Sequence, residues 1–184
     1  SEMCIRDRVC GDGSAETRAL VVSGLGGAPE YESQFRDLSE RVARRLERVM
    51  PHVVLLHGDM ANQTQIRTTF EAFGAASGAA DSLLFVFIGH GSFDGRAFRF
   101  NVPGRDFDAD SLQTWLEAVP ARERVVVVTG SASGALHDAL DGSGVSLFTA
   151  TKSGNEKNAT EFPNHFVEAL GAEPADTDKD RMVS

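Results

Sequence analysis

Along the chain, short and wholly apolar runs alternate with stretches whose apolar residues return every three or four positions. The apolar runs are "ALVVSG" (19–24), "HVVLL" (52–56), "SLLFVFIG" (82–89), "RVVVV" (124–128) and "VSLFTAT" (145–151). Their continuity, in place of an in–out alternation, predicts strands buried on both faces, as in a parallel sheet. Between the first two, residues 31–49 set Tyr31, Phe35, Leu38, Val42, Leu46 and Val49 on one helical face. Residues 62–76 predict a second helix. A third is capped by Asp110 or Ser111 and runs to about Ala118, with Trp115 facing inward. "ALHDAL" (135–140) predicts a short helix, and residues 157–171 another, whose Pro163 delays its start to about Phe162. "AFRFNVPG" (97–104) alternates and then turns, which predicts a small hairpin at the sheet edge.

Strands each separated by a helix imply an α/β three-layer sandwich, a mostly parallel central sheet with helices on both faces. The expected order of the five strands along the sheet is 2-1-3-4-5. One such domain accounts for residues 11–172, with no internal repeat and no linker. The opening "SEMCIRDRVC" (1–10) has no periodicity, holds both cysteines (Cys4 and Cys10), and reads as a non-native segment outside the fold. Residues 173–184 read as the start of a truncated C-terminal element.

Composition narrows the function classes. At 184 residues and 41% hydrophobic the chain can bury a substantial single core. Its 27 acidic and 18 basic residues leave a net charge of -9, which argues against nucleic acid as a partner. Arg41, Arg44, Arg45 and Arg48 are interleaved with Glu32, Asp37, Glu40 and Glu47 and read as a solvated helix face. No apolar run approaches the roughly 18 residues of a membrane helix. None of the five histidines pairs at metal-ligand spacing and no CxxC occurs, so neither a metal nor another cofactor is expected.

In a sheet of this kind ligands bind beyond the carboxyl ends of the strands, so the residues just after each apolar run carry the candidate chemistry. "GLGGAP" (24–29) lacks the third glycine of a dinucleotide loop, and no phosphate-cradling GxxxxGK[ST] occurs. After the third strand, His90 stands between Gly89 and Gly91 in "GHGSFDG". A histidine there can serve as general base, and the Gly91 amide can donate to a developing oxyanion. His57-Gly58 has the same local look, but its strand belongs at the sheet edge. After the fourth strand, "TGSASG" (129–134) brings Ser131 to the end of a strand predicted to lie beside the third. A nucleophile beside a base is the arrangement covalent catalysis needs. Ser131 lies outside any GxSxG elbow, since Thr129 and Ser133 flank it.

These two strand ends resemble the caspase-like peptidases, the legumain branch in particular. "FVFIGHGSFDG" is similar to that family's histidine-glycine block, and "VVVVTGSASGA" to its nucleophile block, down to Ser133-Gly134. "FTATKSGNEKNATEF" is similar to the stretch after the next strand, so the likeness spans residues 19 to 171. The resemblance implies a peptidase domain with His90 as the catalytic histidine, the Gly91 and Ser131 amides as oxyanion donors, and a peptide or protein as partner. At the family's cysteine this chain has Ser131. A hydroxyl, unlike a thiol, is not poised as an anion by a neighbouring imidazole and needs a well-oriented base.

Three readings stay open. One is an inactive peptidase homologue that binds a peptide or partner; another is a working hydrolase using Ser131 with His90. The third is an unrelated flavodoxin-like binding domain in which Ser131 only caps the short helix. Asp94, four residues after His90, could orient the ring if its loop folds back, whereas Asp106, Asp108 and Asp138 read as loop or surface charges. Arg96, Lys152 and Glu156 could line a pocket at the same edge. Asp176, Asp178 and Asp180 imitate the start of a calcium loop, but Arg181 replaces its glycine, and a polar helix cap is the expected reading. "NAT" (158–160) fits a glycosylation pattern only in a secretory context.

Overall fold

A computed structural model describes residues 15–156 and 160–171. In chain order its first elements are β1 (Thr17–Ser23), α1 (Pro29–Leu46), β2 (His52–Leu56), α2 (Gln63–Ala76) and β3 (Ser82–Ile88). Three short strands follow, β4 (Gly91–Phe93), β5 (Phe98–Phe100) and β6 (Phe107–Asp108), and then α3 (Ala109–Glu117). The remainder is β7 (Glu123–Val128), α4 (Leu136–Ala139), β8 (Ser146–Thr149) and α5 (Phe162–Ala169). The expectations for residues 1–10 and 173–184, and for Asn158, lie outside the described residues.

The five apolar runs form one wholly parallel sheet in the order β2-β1-β3-β7-β8, matching the order expected from the sequence. Alternate residues of these strands feed two separate cores. Ala19, Val21, Val86, Ile88 and Val127 pack under α1 and α5, against Phe35, Leu38, Val42 and Val167. Leu20, Val22, Phe85, Phe87, Val126 and Val128 face α2, α3 and the small strands. Burial on both faces explains why the runs read as continuous. The result is a three-layer α/β sandwich.

The opposite core is cemented by aromatic rings. Phe70 stacks on Phe85 at 4.4 Å between centroids, and Trp115, Phe107, Phe100 and Phe87 continue the series at 5.3 to 5.5 Å. Phe100 and Phe107 come from the small sheet, so this series fixes that sheet against the carboxyl end of β3. Among the described residues no helix is long and apolar enough to cross a membrane.

Four local expectations need correction. The 97–104 stretch is no edge hairpin of the main sheet: its Phe98–Phe100 strand pairs antiparallel with both β4 and β6 in a second, three-stranded sheet. The missing signal was β4, whose "GSF" is too short to show a period. The cap of α3 is Asp108, whose carboxylate accepts from the Ser111 amide at 2.9 Å and from its hydroxyl at 2.6 Å. Asp110 lies inside the first turn, so neither it nor Ser111 is the cap. Tyr31 and Val49 leave the apolar face, being 38% and 52% exposed. Finally, Ser131 caps no helix: the short turn before α4 starts at Ala132 with no side-chain cap.

Candidate functional site

β1, β3 and β7 lie side by side, with Ser23 opposite Ile88 and Phe87 opposite Val128, so their following loops leave the sheet at one level. Two glycines let the loops after β3 and β7 touch backbone to backbone. A Cβ on Gly91 would stand 2.5 Å from the Ser131 carbonyl oxygen and 2.6 Å from the Phe98 ring. One on Gly130 would stand 2.5 Å from the Gly89 oxygen and 3.0 Å from the Gly91 nitrogen. Neither gap admits even a methyl group. The backbones of the His90 and Ser131 segments are therefore in direct contact, as their adjacent strands require.

Their side chains are not joined. The His90 ring turns toward α1, where Tyr31 and Phe35 meet it edge-on, each at 4.9 Å between centroids. Burial against these rings holds the imidazole below its ordinary pKa, while a hydrogen bond to the Gly26 backbone works in the opposite direction.

The Ser131 hydroxyl donates instead to the Gly91 carbonyl, at 3.0 Å, in a residue only 6% exposed. No hydrogen bond links it to His90. Among the described residues two backbone amides beside it have no acceptor. Asn101 donates its amide to the His90 carbonyl at 3.0 Å, which makes Gly91 and Phe100 a non-hydrogen-bonded pair of the small sheet. The Gly91 amide therefore points away from β5, and among the described residues neither it nor the Ser131 amide has an acceptor. The next residue, Ala132, has φ 57°, the left-handed region that side chains other than glycine rarely adopt.

The remaining candidates have other employment. Asp94 does not orient His90; it accepts from the Arg96 and Ala97 amides and pairs with Arg99 at 2.7 Å, which holds its carboxyl far below the usual range. Asp106 accepts from the Val102 amide at 3.1 Å, Asp108 caps α3, and Asp138 is exposed on α4. His57 is exposed at the end of β2, one strand beyond β1. Ser133 is fully buried, and its hydroxyl accepts from the Ala150 and Thr151 amides at 3.1 and 3.3 Å, so it staples the loop after β8. Gly134 lies so close to the Lys152–Ser153 peptide that a Cβ would collide with it. Glu156 has structural partners: its carboxylate accepts from the Lys152 and Ser153 amides, and its carbonyl accepts from the Ala132 amide at 2.8 Å. Arg96 and Lys152 are exposed. Among the described residues no His, Cys, Asp and Glu side chains cluster as a metal site.

No protein-family model matches the chain, and a comparison with curated proteins finds no match. Among solved structures, protein GSU0716 from Geobacter sulfurreducens is similar, with a TM-score of 0.50 at 15% identity over 91% of this chain. The chain spans 66% of the length of that protein. At this identity the likeness speaks for the fold alone, an α/β sandwich.

Proposed function

We propose that this domain is a caspase-like, legumain-branch peptidase homologue whose catalytic step is disabled and which binds a peptide or protein segment. The observation that carries this reading is the Ser131 hydroxyl, which donates to the Gly91 carbonyl while the neighbouring His90 ring rests on Tyr31 and Phe35. A general base has to lie within about 2.6–3.2 Å of the proton it removes. A thiol tolerates a looser pair because its ordinary pKa, about 8.5, leaves part of it ionised near neutrality. A hydroxyl has no such reserve. Binding needs less: the Gly91 and Ser131 amides can donate to a peptide carbonyl whether or not attack follows.

The test is to restore sulfur. Ser131→Cys is expected to gain reductant-dependent turnover of a peptide library, at least ~100-fold above a silent parent. A variant that folds but stays silent removes the peptidase ancestry. A second reading, a working serine hydrolase, is favoured by the same two free amides and by a histidine whose depressed pKa keeps it neutral at pH 7. Labelling of the parent at Ser131 by a fluorophosphonate would select it; the expected result is no labelling.

A further inference from the structure

The main sheet ends in β2 on one side and in β8 on the other. Edge strands are commonly protected by a charge, a proline or a bulge, because unpaired peptide groups invite a second chain. β2 reads HVVLL, with no charged residue and no proline, and its register against β1 runs unbroken from His52 to Leu56. Among the described residues β1 is its single partner. Which of its peptide groups look outward follows from β1. The Gly24 amide donates to the Ile88 carbonyl at 2.8 Å, so Leu20 and Val22, of the same parity, also turn their peptide groups to β3. Ala19, Val21 and Ser23 turn theirs to β2. Bonds in a parallel pair are slanted, so such a residue bonds to the two neighbours of its register partner. For Val21, opposite Leu55, these are Val54 and Leu56. The N–H and C=O groups of Val53 and Leu55 therefore point away from the sheet. Pro51, the next residue of that parity, has no N–H and bounds the ladder there. Val49 precedes the strand and Met60 follows it, both more than half exposed. Arg48 and Asp59, exposed beside them, put opposite charges at the same two ends.

We infer that β2 is a dimerisation edge that takes β2 of a second copy of this chain, paired antiparallel about a two-fold axis. An axis through Val54, the middle of the strand, sets Val53 opposite Leu55 of the second copy and Leu55 opposite its Val53. Each of these pairs exchanges both N–H···O=C bonds, so every outward peptide group of the strand is satisfied by its own image. The same axis brings the start of one strand to the end of the other. Val49 then lies toward Met60 and Arg48 toward Asp59, so exposed apolar surface and opposite charge are both matched by symmetry. An unrelated strand can add to such an edge through its backbone alone, whereas a second copy also matches both ends. The partner sheet runs the other way, so the two candidate sites open in opposite directions, each separated from the joint by β1 and β2. The inference is independent of any chemistry at His90 and Ser131.

Sedimentation of the full chain from micromolar to submillimolar protein tests the association, and hydrogen exchange over the same range tests its place. A reversible dimer is expected, in which the Val53 and Leu55 amides exchange at least ~10-fold more slowly than in the monomer. Exchange at β8 should not depend on concentration. Arg48→Asp sets like charges across the axis and should weaken the dimer about 10-fold, while Arg48→Asp/Asp59→Arg should recover it. Both positions are exposed, so the fold survives either change. Phe148→Ser, at the exposed aromatic of the β8 edge, should leave the dimer intact. A chain that stays monomeric throughout, a dimer without protection at Val53 and Leu55, a charge reversal that the double variant fails to rescue, or dissociation by Phe148→Ser overturns the inference.

Discussion

Ser131 and Ser133 are two residues apart and nearly equally buried, yet removing their hydroxyls should have very different consequences. The Ser133 oxygen takes the Ala150 and Thr151 amides and also meets the Thr151 hydroxyl at 3.3 Å. Since Thr151 gives its own proton to the Ser153 carbonyl at 3.1 Å, Ser133 is the donor of that pair. Ser133→Ala strands the buried Thr151 amide, whereas the Ala150 amide keeps the Val128 carbonyl at 3.1 Å and the Thr151 hydroxyl keeps the Gly134 amide at 2.9 Å. At about 1–3 kcal/mol for the stranded amide, with about 0.5–1.5 kcal/mol for the lost bond to the Thr151 hydroxyl and partial relief from water entering the loop, the expected loss is about 1.5–3 kcal/mol. Ser131→Ala ends a single hydrogen bond, to the Gly91 carbonyl at 3.0 Å, and should cost about 0.5–1.5 kcal/mol. Urea unfolding at unchanged m-value measures both, and hydrogen exchange should show the Thr151 amide opening only in Ser133→Ala. Equal losses in the two variants, or a Ser133→Ala loss under about 1 kcal/mol, would refute the assignment of one serine to structure and the other to the site.

Other perturbations follow from the same geometry. Gly91→Ala places a methyl 2.5 Å from the Ser131 carbonyl and against the Phe98 ring. Overpacking of this kind costs about 1–3 kcal/mol, so a lower Tm and a shifted His90 resonance are expected, and an unchanged Tm would contradict the contact. Asp108→Ala removes the α3 cap and should cost about 1 kcal/mol by urea unfolding. The Ser111 hydroxyl and amide hold the Asp108 carboxyl below its ordinary value. Its stabilisation is therefore complete above the unfolded value near pH 4 and is lost as pH falls through the lower folded value. Asp108→Ala should flatten the acid limb of the stability profile, and a limb of unaltered slope would refute the sign.

The sheet was legible because burial on both faces leaves a mark that needs no partner to be recognised. β2 matches its apolar run to the residue, and β1, β3 and β7 differ from theirs by a residue or two at the ends. The small sheet was only half legible. β5 carries the alternation of Phe98 and Phe100, whereas β4 and β6 are too short to show one. At the site, the nearness of His90 and Ser131 followed from strand order, which the pattern supports. What their side chains do did not follow. The ring direction depends on Tyr31 and Phe35 from a helix about 55 residues upstream. Glu32 was misplaced for a related reason: helical spacing puts it among solvated charges, and only the fold of the β1 loop brings the Gly26 amide within its reach.

Ala132 ties these observations together. Among the described residues it alone, apart from glycines, has a positive φ, at a cost on the order of 1 kcal/mol. Such strain persists only where surrounding contacts over-determine it. Here the Glu156 carbonyl holds the Ala132 amide, the Ala135 amide binds its carbonyl, and its methyl is fully buried. Glu156 in turn gathers the Lys152 and Ser153 amides, and Ser133 anchors the same loop from the other side. The bend after Ser131 is therefore enforced from the β8 loop, more than 15 residues away in sequence, and does not depend on what atom Ser131 carries. Among the described residues it leaves the Ser131 amide without an acceptor, and it sets the side chain at the end of β7 against Gly91. A turn with these supports should survive the exchange of oxygen for sulfur, so that Ser131→Cys alters the chemistry of one atom while leaving its presentation as it is.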